Sequence, residues 1–100
     1  MKTLVIKIGT SLLRGSEKYK TFDIINQYCS YIARAKKKGT KVILVSSGAV
    51  GLGCHKMNFK TRPKEIISLQ ASAAIGQLYL MALYEKAMSK FGYKVAQILL

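Results

Sequence analysis

The stretch VILVSSGAVGLG, from Val42 to Gly53, carries the strongest structural signal in the sequence. Its first half is a run of β-branched and aliphatic residues, which is typical of a strand buried in a parallel sheet. Its second half has two serines and then glycine at three of the next six positions. Glycine lets main-chain N–H groups approach a ligand, and serine adds hydroxyl donors. The pattern is compatible with an anion-binding loop and with an ordinary turn from strand to helix.

The remainder of the chain predicts alternating strands and helices. A first strand covers Thr3 to Ile8, and a helix begins near Thr21 and stops at Gly39. A long helix is predicted from about Lys64 to Phe91, and a third strand from Tyr93 to Leu100. This order predicts an α/β fold with a mostly parallel sheet and helices on both faces, so that the strands are buried on two sides.

Two polar turns should meet at one edge of this sheet, because parallel strands place the loops that follow them at the same edge. These turns are GTS at Gly9 to Ser11 and SSGAVG at Ser46 to Gly51. Lys7 stands just before the first turn, in an otherwise apolar strand, where a buried ammonium group is costly without an anion. Lys7 is therefore a candidate phosphate ligand, and the alternative is a lysine that reaches solvent at a sheet edge.

The composition narrows the classes of partner and compartment. There are 17 Lys and Arg against four acids, and the net charge of +13 favours anionic partners. Cys29, Cys54 and His55 are too few for a disulfide framework or a zinc site, so we predict no metal site and a cytoplasmic location. Ile66 to Tyr84 has membrane length but contains polar residues, which favours a buried helix over a membrane span.

Four segments make the chain resemble the amino-acid kinase family, and together they extend over essentially all 100 residues. They are VIKIGTSLL (Val5 to Leu13), VILVSSGAVGLG (Val42 to Gly53), LQASAAIGQLYLMALYE (Leu69 to Glu85) and VAQILL (Val95 to Leu100). The resemblance implies a three-layer sandwich of which residues 1–100 form only the N-terminal, substrate-binding portion. The remainder of the domain is expected to lie outside this sequence.

The resemblance also implies an activity, namely ATP-dependent phosphorylation of the side-chain carboxylate of L-glutamate in the first step of proline biosynthesis. It implies that Lys7 is catalytic, that Lys7, Gly9 and Thr10 bind ATP, and that Mg²⁺ arrives with the nucleotide. It assigns the glutamate substrate to Ser47 and Gly48. It further implies a homo-oligomer, and a segment that is inactive without the later residues of the site.

Other functions remain open at this stage. Related kinases of the same family act on aspartate, N-acetylglutamate or UMP, and any of these is an alternative acceptor. The positive charge is compatible with a nucleic-acid-binding module, but the sequence has no recognised motif for one, and Tyr79 and Tyr84 are expected to pack within the long helix. We therefore expect no nucleic-acid or membrane partner for this segment. A non-catalytic fragment is the third alternative.

Overall fold

The computed structural model describes residues 2–9 and 20–98. Within them the chain forms two strands and three helices in the order strand, helix, strand, helix, helix. The elements are β1 (Thr3–Ile8), α1 (Thr21–Lys37), β2 (Lys41–Ser46), α2 (Ala49–Lys56) and α3 (Ile66–Ser89). The predicted α/β class and the first strand–helix–strand unit are confirmed.

The two strands pair in parallel over their whole length. The register runs from Thr3 opposite Lys41 to Ile8 opposite Ser46. Helix α1 connects them, and it ends where Gly39 adopts a φ of 85°, a left-handed conformation that suits glycine. Arg34 and two lysines lie in the last turn of α1, where the helix dipole favours cations. The predicted stop signal for this helix is confirmed.

The core lies between one face of the sheet and helices α1 and α3. Ile8 of β1 packs in a cluster with Ile25 of α1 and Leu80 of α3, and all three side chains are almost fully buried. The other buried members of this cluster are Cys29, Ile32, Tyr84, Ala87 and Met88. Burial of such side chains supplies the main favourable free energy of folding.

The opposite face of the sheet is largely open, in contrast to the prediction that both strands are buried on two sides. Val5, Ile43 and Val45 point to this face and are 61%, 50% and 49% exposed. Only the side chains of the other face, such as Ile8 and Leu44, contribute to the core. The described helices thus form one covering layer, as expected for an incomplete sandwich.

Helix α2 is the main difference from the sequence-based expectation, which treated the glycine segment as a loop. Glycine disfavours a helix in isolation, and two glycines, Gly51 and Gly53, lie inside α2. A Cβ built at Gly53 would overlap the main-chain carbonyl of Ser72, and one at Gly76 would overlap that of Ala49. Backbone-to-backbone packing of α2 on α3 therefore outweighs the low helix propensity.

The C-terminal part of the chain differs from the sequence-based prediction in its third strand and in the burial of α3. Residues 93–98 form no strand, although Tyr93 and Val95 pack against the core as alternate residues of a strand would. Helix α3 is long and apolar enough to cross a membrane by length and composition, and only 17% of its apolar window is buried, so the expectation of a buried helix is met only in part. Its buried residues lie mainly in its second half, whereas Ile66 and Ile67 at its start are exposed.

Candidate functional site

The two turns that follow β1 and β2 lie side by side at the carboxyl edge of the sheet. The main-chain N–H of Ser47 donates to the carbonyl of Ile8 at 3.1 Å, which extends the strand pairing by one residue beyond Ser46. Gly9 follows Ile8 directly, and Gly48 follows Ser47. The structure therefore brings the predicted residues Lys7, Gly9, Ser47 and Gly48 to one edge of the sheet, called the rim below. Thr10 lies outside the described residues.

The two adjacent serines of this edge have different environments. Ser46 lies on the core face, and its hydroxyl is 2.8 Å from the hydroxyl of Tyr84 on α3. Ser46 Oγ also lies 3.4 Å from the carbonyl of Ser47. Ser47 itself is exposed. Because side chains alternate along a strand, the core positions of Val42 and Leu44 could have identified Ser46 as the anchor in advance.

The hydroxyls of Ser46 and Tyr84 form a hydrogen bond, and Tyr84 belongs to the buried core cluster. Burial raises the pKa of Tyr84, the hydrogen bond from Ser46 lowers it, and nearby Cys29 raises it again. Burial also raises the pKa of the Cys29 thiol to about 11. Both groups are therefore neutral near pH 7. They act as packed core groups beneath the rim and not as nucleophiles.

Gly48 marks the point where the chain leaves the sheet and enters α2. Its φ is 109°, a conformation that a side chain would strain, and it is the N-cap residue of α2. Among the described residues, no side chain caps the first main-chain N–H groups of α2. The N-terminal end of a helix carries partial positive charge, which favours a carboxylate or phosphate nearby.

On the β1 side of the same edge, a Cβ built at Gly9 would meet no atom of residues 2–9 and 20–98 within 4 Å. Lys7 pairs with Val45 in the register and is exposed on the open face of the sheet. Of the two alternatives for Lys7, the structure shows a lysine that reaches solvent, because the second face of the strand is not covered. The Lys7 amine is therefore free to approach an anion at the rim. Because the amine is not buried, it does not require an anionic partner.

The remaining chemistry-bearing residues do not gather at this edge. Cys54 and His55, expected in a loop, both lie in α2, where Cys54 is buried and His55 exposed. Across residues 2–9 and 20–98, no three His, Cys, Asp or Glu side chains lie close enough to hold a metal ion. The described edge therefore combines a lysine, hydroxyls and main-chain donors, which suits binding of anions.

Known proteins are similar to this chain over its whole length. The model of the amino acid kinase family matches residues 2–100. A protein named glutamate 5-kinase from Prochlorococcus marinus (strain NATL2A) is 82% identical over all 100 residues. Glutamate 5-kinases from a second strain of Prochlorococcus marinus and from Synechococcus sp. (strain CC9902) are 61% and 53% identical over the same residues. The chain spans 28% of the first two relatives and 27% of the third.

Proposed function

Since this chain belongs to the amino acid kinase family, we propose that the full-length protein transfers the γ-phosphoryl group of ATP to the side-chain carboxylate of L-glutamate. The product is L-glutamyl 5-phosphate, the compound expected at the first step of proline biosynthesis. Support comes from relatives named glutamate 5-kinase that match every residue of this chain, the first of them at 82% identity. The chain covers little more than a quarter of those relatives, so it supplies only part of the active site.

The observation that carries the proposal is the 3.1 Å hydrogen bond from the Ser47 N–H to the Ile8 carbonyl. This bond fixes the distance between the two turns that must hold the two substrates. One turn continues from the strand that bears Lys7, and the other leads through Gly48 into helix α2. Two anions that react with each other need this arrangement. Each anion requires its own set of positive or donor groups, and the two sets must lie close together.

On the β1 side, we assign the ATP phosphates to Lys7 and Gly9. Lys7 supplies a full positive charge, and no other residue of the described part of the chain blocks the approach of phosphate oxygens to the main chain at Gly9. Thr10, which completes the predicted ATP-binding set, lies outside the described residues. The exposed position of Lys7 is compatible with this role because the amine must reach the transferring phosphoryl group.

On the β2 side, we assign the glutamate substrate to Ser47 and Gly48. Gly48 gives the chain the left-handed turn that starts α2 close to the rim, and the uncapped first turn of α2 offers main-chain donors. Ser47 adds a hydroxyl at the same place. A carboxylate of the acceptor is stabilised there by hydrogen bonds and by the partial charge of the helix end.

The proposed reaction needs no general base. The side-chain carboxyl of free glutamate has a pKa near ~4.3, so it is already ionised at neutral pH and can attack phosphorus directly. The barrier comes from bringing two anions together and from charge that develops on the transferring oxygens. Lys7 is placed to offset that charge. Removal of a preorganised donor of this type costs about 3 to 4 kcal/mol of transition-state stabilisation.

Magnesium fits this site only as part of the nucleotide complex. The described rim residues Lys7, Gly9, Ser47 and Gly48 include no carboxylate, and carboxylates are the usual protein ligands for Mg²⁺. Bound to the phosphates, the ion would neutralise part of their charge. The contribution of the described residues is to orient the phosphates and the acceptor.

An acceptor comparison in the full-length protein tests the proposal. ADP formation from ATP and Mg²⁺ is measured with L-glutamate, L-aspartate, N-acetyl-L-glutamate and UMP at equal concentration. We expect turnover with glutamate to exceed that with every other acceptor by at least about a hundredfold, because a misplaced carboxylate leaves rim donors unpaired. Faster turnover with aspartate, N-acetylglutamate or UMP would show that this compound, and not glutamate, is the acceptor. Absence of turnover with all four would favour a non-catalytic protein.

A homo-oligomer and a cytoplasmic location are part of the same proposal. The homo-oligomer derives from the family resemblance, and the cytoplasmic location derives from the small number of cysteines. Light scattering of the full-length protein during gel filtration measures its mass directly, and a monomeric mass at micromolar concentration would contradict the oligomer. Fractionation of the source cells tests the location.

A further inference from the structure

A cavity of about 850 Å³ lies beside the proposed acceptor turn. Its walls come from the start of α1, from α2, from residues 59–62 and from the middle of α3. Gly48 and Gly51 form part of its lining, whereas Lys7 and Ser47 do not. This size falls in the range of cavities that bind small organic molecules. The cavity is therefore adjacent to the proposed active-site rim but separate from its two key side chains.

The polar lining of this cavity is cationic. Lys20, Lys56, Lys60 and Arg62 all line it, together with His55, and no Asp or Glu is among the described lining residues. None of these four cations forms an ion pair within residues 2–9 and 20–98. Clustering of like charges without counter-ions raises the local positive potential and favours an anionic ligand.

The apolar lining is rich in aromatic rings. Phe22, Phe59 and Tyr79 line the cavity, and Phe59 and Tyr79 are 38% and 42% exposed. The expectation that Tyr79 packs within the long helix is wrong in this respect, because its ring stays half exposed. Lys56 Nζ lies 4.4 Å from the centroid of the Tyr79 ring, a cation–π contact. The cavity thus offers flat apolar surfaces directly beside positive charge.

From this combination we propose that the cavity binds a small aromatic anion, a molecule in which a phosphate or carboxylate is joined to a flat ring. The anionic group pairs with Lys60 and Arg62. The guanidinium of Arg62 suits a planar or tetrahedral oxyanion. The ring packs against Tyr79, Phe59 and the leucines of the lining. Neither L-glutamate, which has no ring, nor inorganic phosphate uses both parts of this site.

Calorimetric titration of the full-length protein with 1-naphthyl phosphate tests the proposal. Cyclohexyl phosphate carries the same charge without an aromatic ring, and 1-naphthol carries the ring without the charge. We expect 1-naphthyl phosphate to bind at least tenfold more tightly than either. Equal affinity for naphthyl and cyclohexyl phosphate would overturn the aromatic part of the site and with it the proposal.

Two double variants separate the cavity from the general positive charge of the protein. Lys60→Gln/Arg62→Gln removes two charges from the cavity, and Lys37→Gln/Lys94→Gln removes two exposed charges elsewhere. We expect the first to weaken 1-naphthyl phosphate binding at least tenfold and the second less than twofold. Equal weakening in both would show nonspecific attraction and contradict the site. All four positions are exposed, so thermal melting should confirm that both variants fold.

A final pair of variants distinguishes this inference from the proposed kinase function. Tyr79→Leu keeps apolar volume but removes the ring, and it should weaken 1-naphthyl phosphate binding several-fold while leaving cyclohexyl phosphate unchanged. Lys7→Ala, in the proposed ATP site, should leave probe binding unchanged. A loss in Lys7→Ala as large as that in Lys60→Gln/Arg62→Gln would place the probe at the rim and overturn the separate site, whatever the acceptor assay shows.

Discussion

Gly48 and Gly53 lie five residues apart in one glycine-rich stretch, yet the structure needs glycine at the two positions for different reasons. Gly48 has a φ of 109° and turns the chain from β2 into α2 at the edge of the sheet. Gly53 is helical and buried, and its missing side chain lets α2 rest on the main chain of Ser72. One glycine serves a turn at the proposed site, and the other serves helix packing behind it.

This difference teaches that the stretch is not a single anion-binding loop. Only its first part, Ser47 and Gly48, lies beside the end of β1. The part from Ala49 onward is a helix whose glycine contacts hold α2 against α3. Packing of α2 therefore fixes the direction in which its N-terminal end faces, and the rim depends on contacts several residues away. Each half makes separate, measurable predictions.

The largest expected effect comes from filling the contact between α2 and α3. Gly53→Ala places a methyl group on the Ser72 carbonyl, and a backbone atom cannot rotate aside. We expect the free energy of unfolding to fall by about 3 kcal/mol or more, as for severe overpacking. Gly76→Ala should behave alike because its Cβ meets the Ala49 carbonyl. Urea denaturation of the full-length protein measures both.

The matched control for this prediction is Gly51→Ala in the same helix. Gly51 is exposed, so the added methyl group should raise helix propensity and stabilise α2 by up to about 1 kcal/mol. Changes of opposite sign in the free energy of unfolding at positions 51 and 53 would show that Gly53 is in close contact with α3 and Gly51 is not. A similar small change at both positions would mean that α2 and α3 are not in the close contact described.

A smaller effect is expected at the turn. Gly48→Ala forces a side chain into the left-handed region and should destabilise the protein by about 1 to 2 kcal/mol. Gly39→Ala, at a φ of 85° after α1 and far along the chain from the rim, should cost about the same. Only Gly48→Ala should also raise the KM for glutamate, measured in the ADP assay. Equal KM values in the two variants would remove Gly48 from the acceptor site.

The anchor beneath the rim should contribute less. Tyr84→Phe removes the hydroxyl that lies 2.8 Å from Ser46 Oγ, and a hydrogen bond of this kind contributes about 1 kcal/mol. Ser46→Ala should cost a similar amount, and the double variant should cost less than the sum. Additive losses in this double-mutant cycle would show that the two hydroxyls do not interact.

The last prediction is a pH dependence that belongs to the core. Burial raises the Cys29 pKa from 9.0 to about 11, so the folded state favours the neutral thiol. Its contribution to stability is complete below pH 9 and is lost as the pH rises from 9 to 11. The free energy of unfolding should therefore fall more steeply over this range in the parent than in Cys29→Ala. Identical slopes would contradict burial of this thiol.

Much of the fold could be predicted from local pattern. The strands at Thr3–Ile8 and Lys41–Ser46 follow from short β-branched runs closed by polar turns, and α1 follows from helical spacing with a glycine stop. Parallel order of these strands then predicts that both turns lie at one edge of the sheet. These features depend on residues close in sequence, which is why the sequence was sufficient.

The features that the sequence did not predict depend on contacts between distant segments. Helix α2 forms because Gly53 and Gly76 allow two main chains to touch, which glycine spacing alone does not indicate. Lys7 is exposed because one face of the sheet is uncovered. An apolar strand has the same sequence pattern whether or not a second layer covers that face. The half-exposed ring of Tyr79 depends on how residues 59–62 leave space beside α3.

The most direct test of the central claim is a kinetic comparison of Lys7→Ala and Ser47→Ala in the full-length protein. If β1 serves the phosphates and the turn into α2 serves glutamate, Lys7→Ala should lower kcat by about a hundredfold to a thousandfold. Ser47→Ala should mainly raise the KM for glutamate and leave the KM for ATP little changed. Full activity of Lys7→Ala, or a Ser47→Ala defect confined to ATP, would contradict the assignment of two substrates to two neighbouring turns.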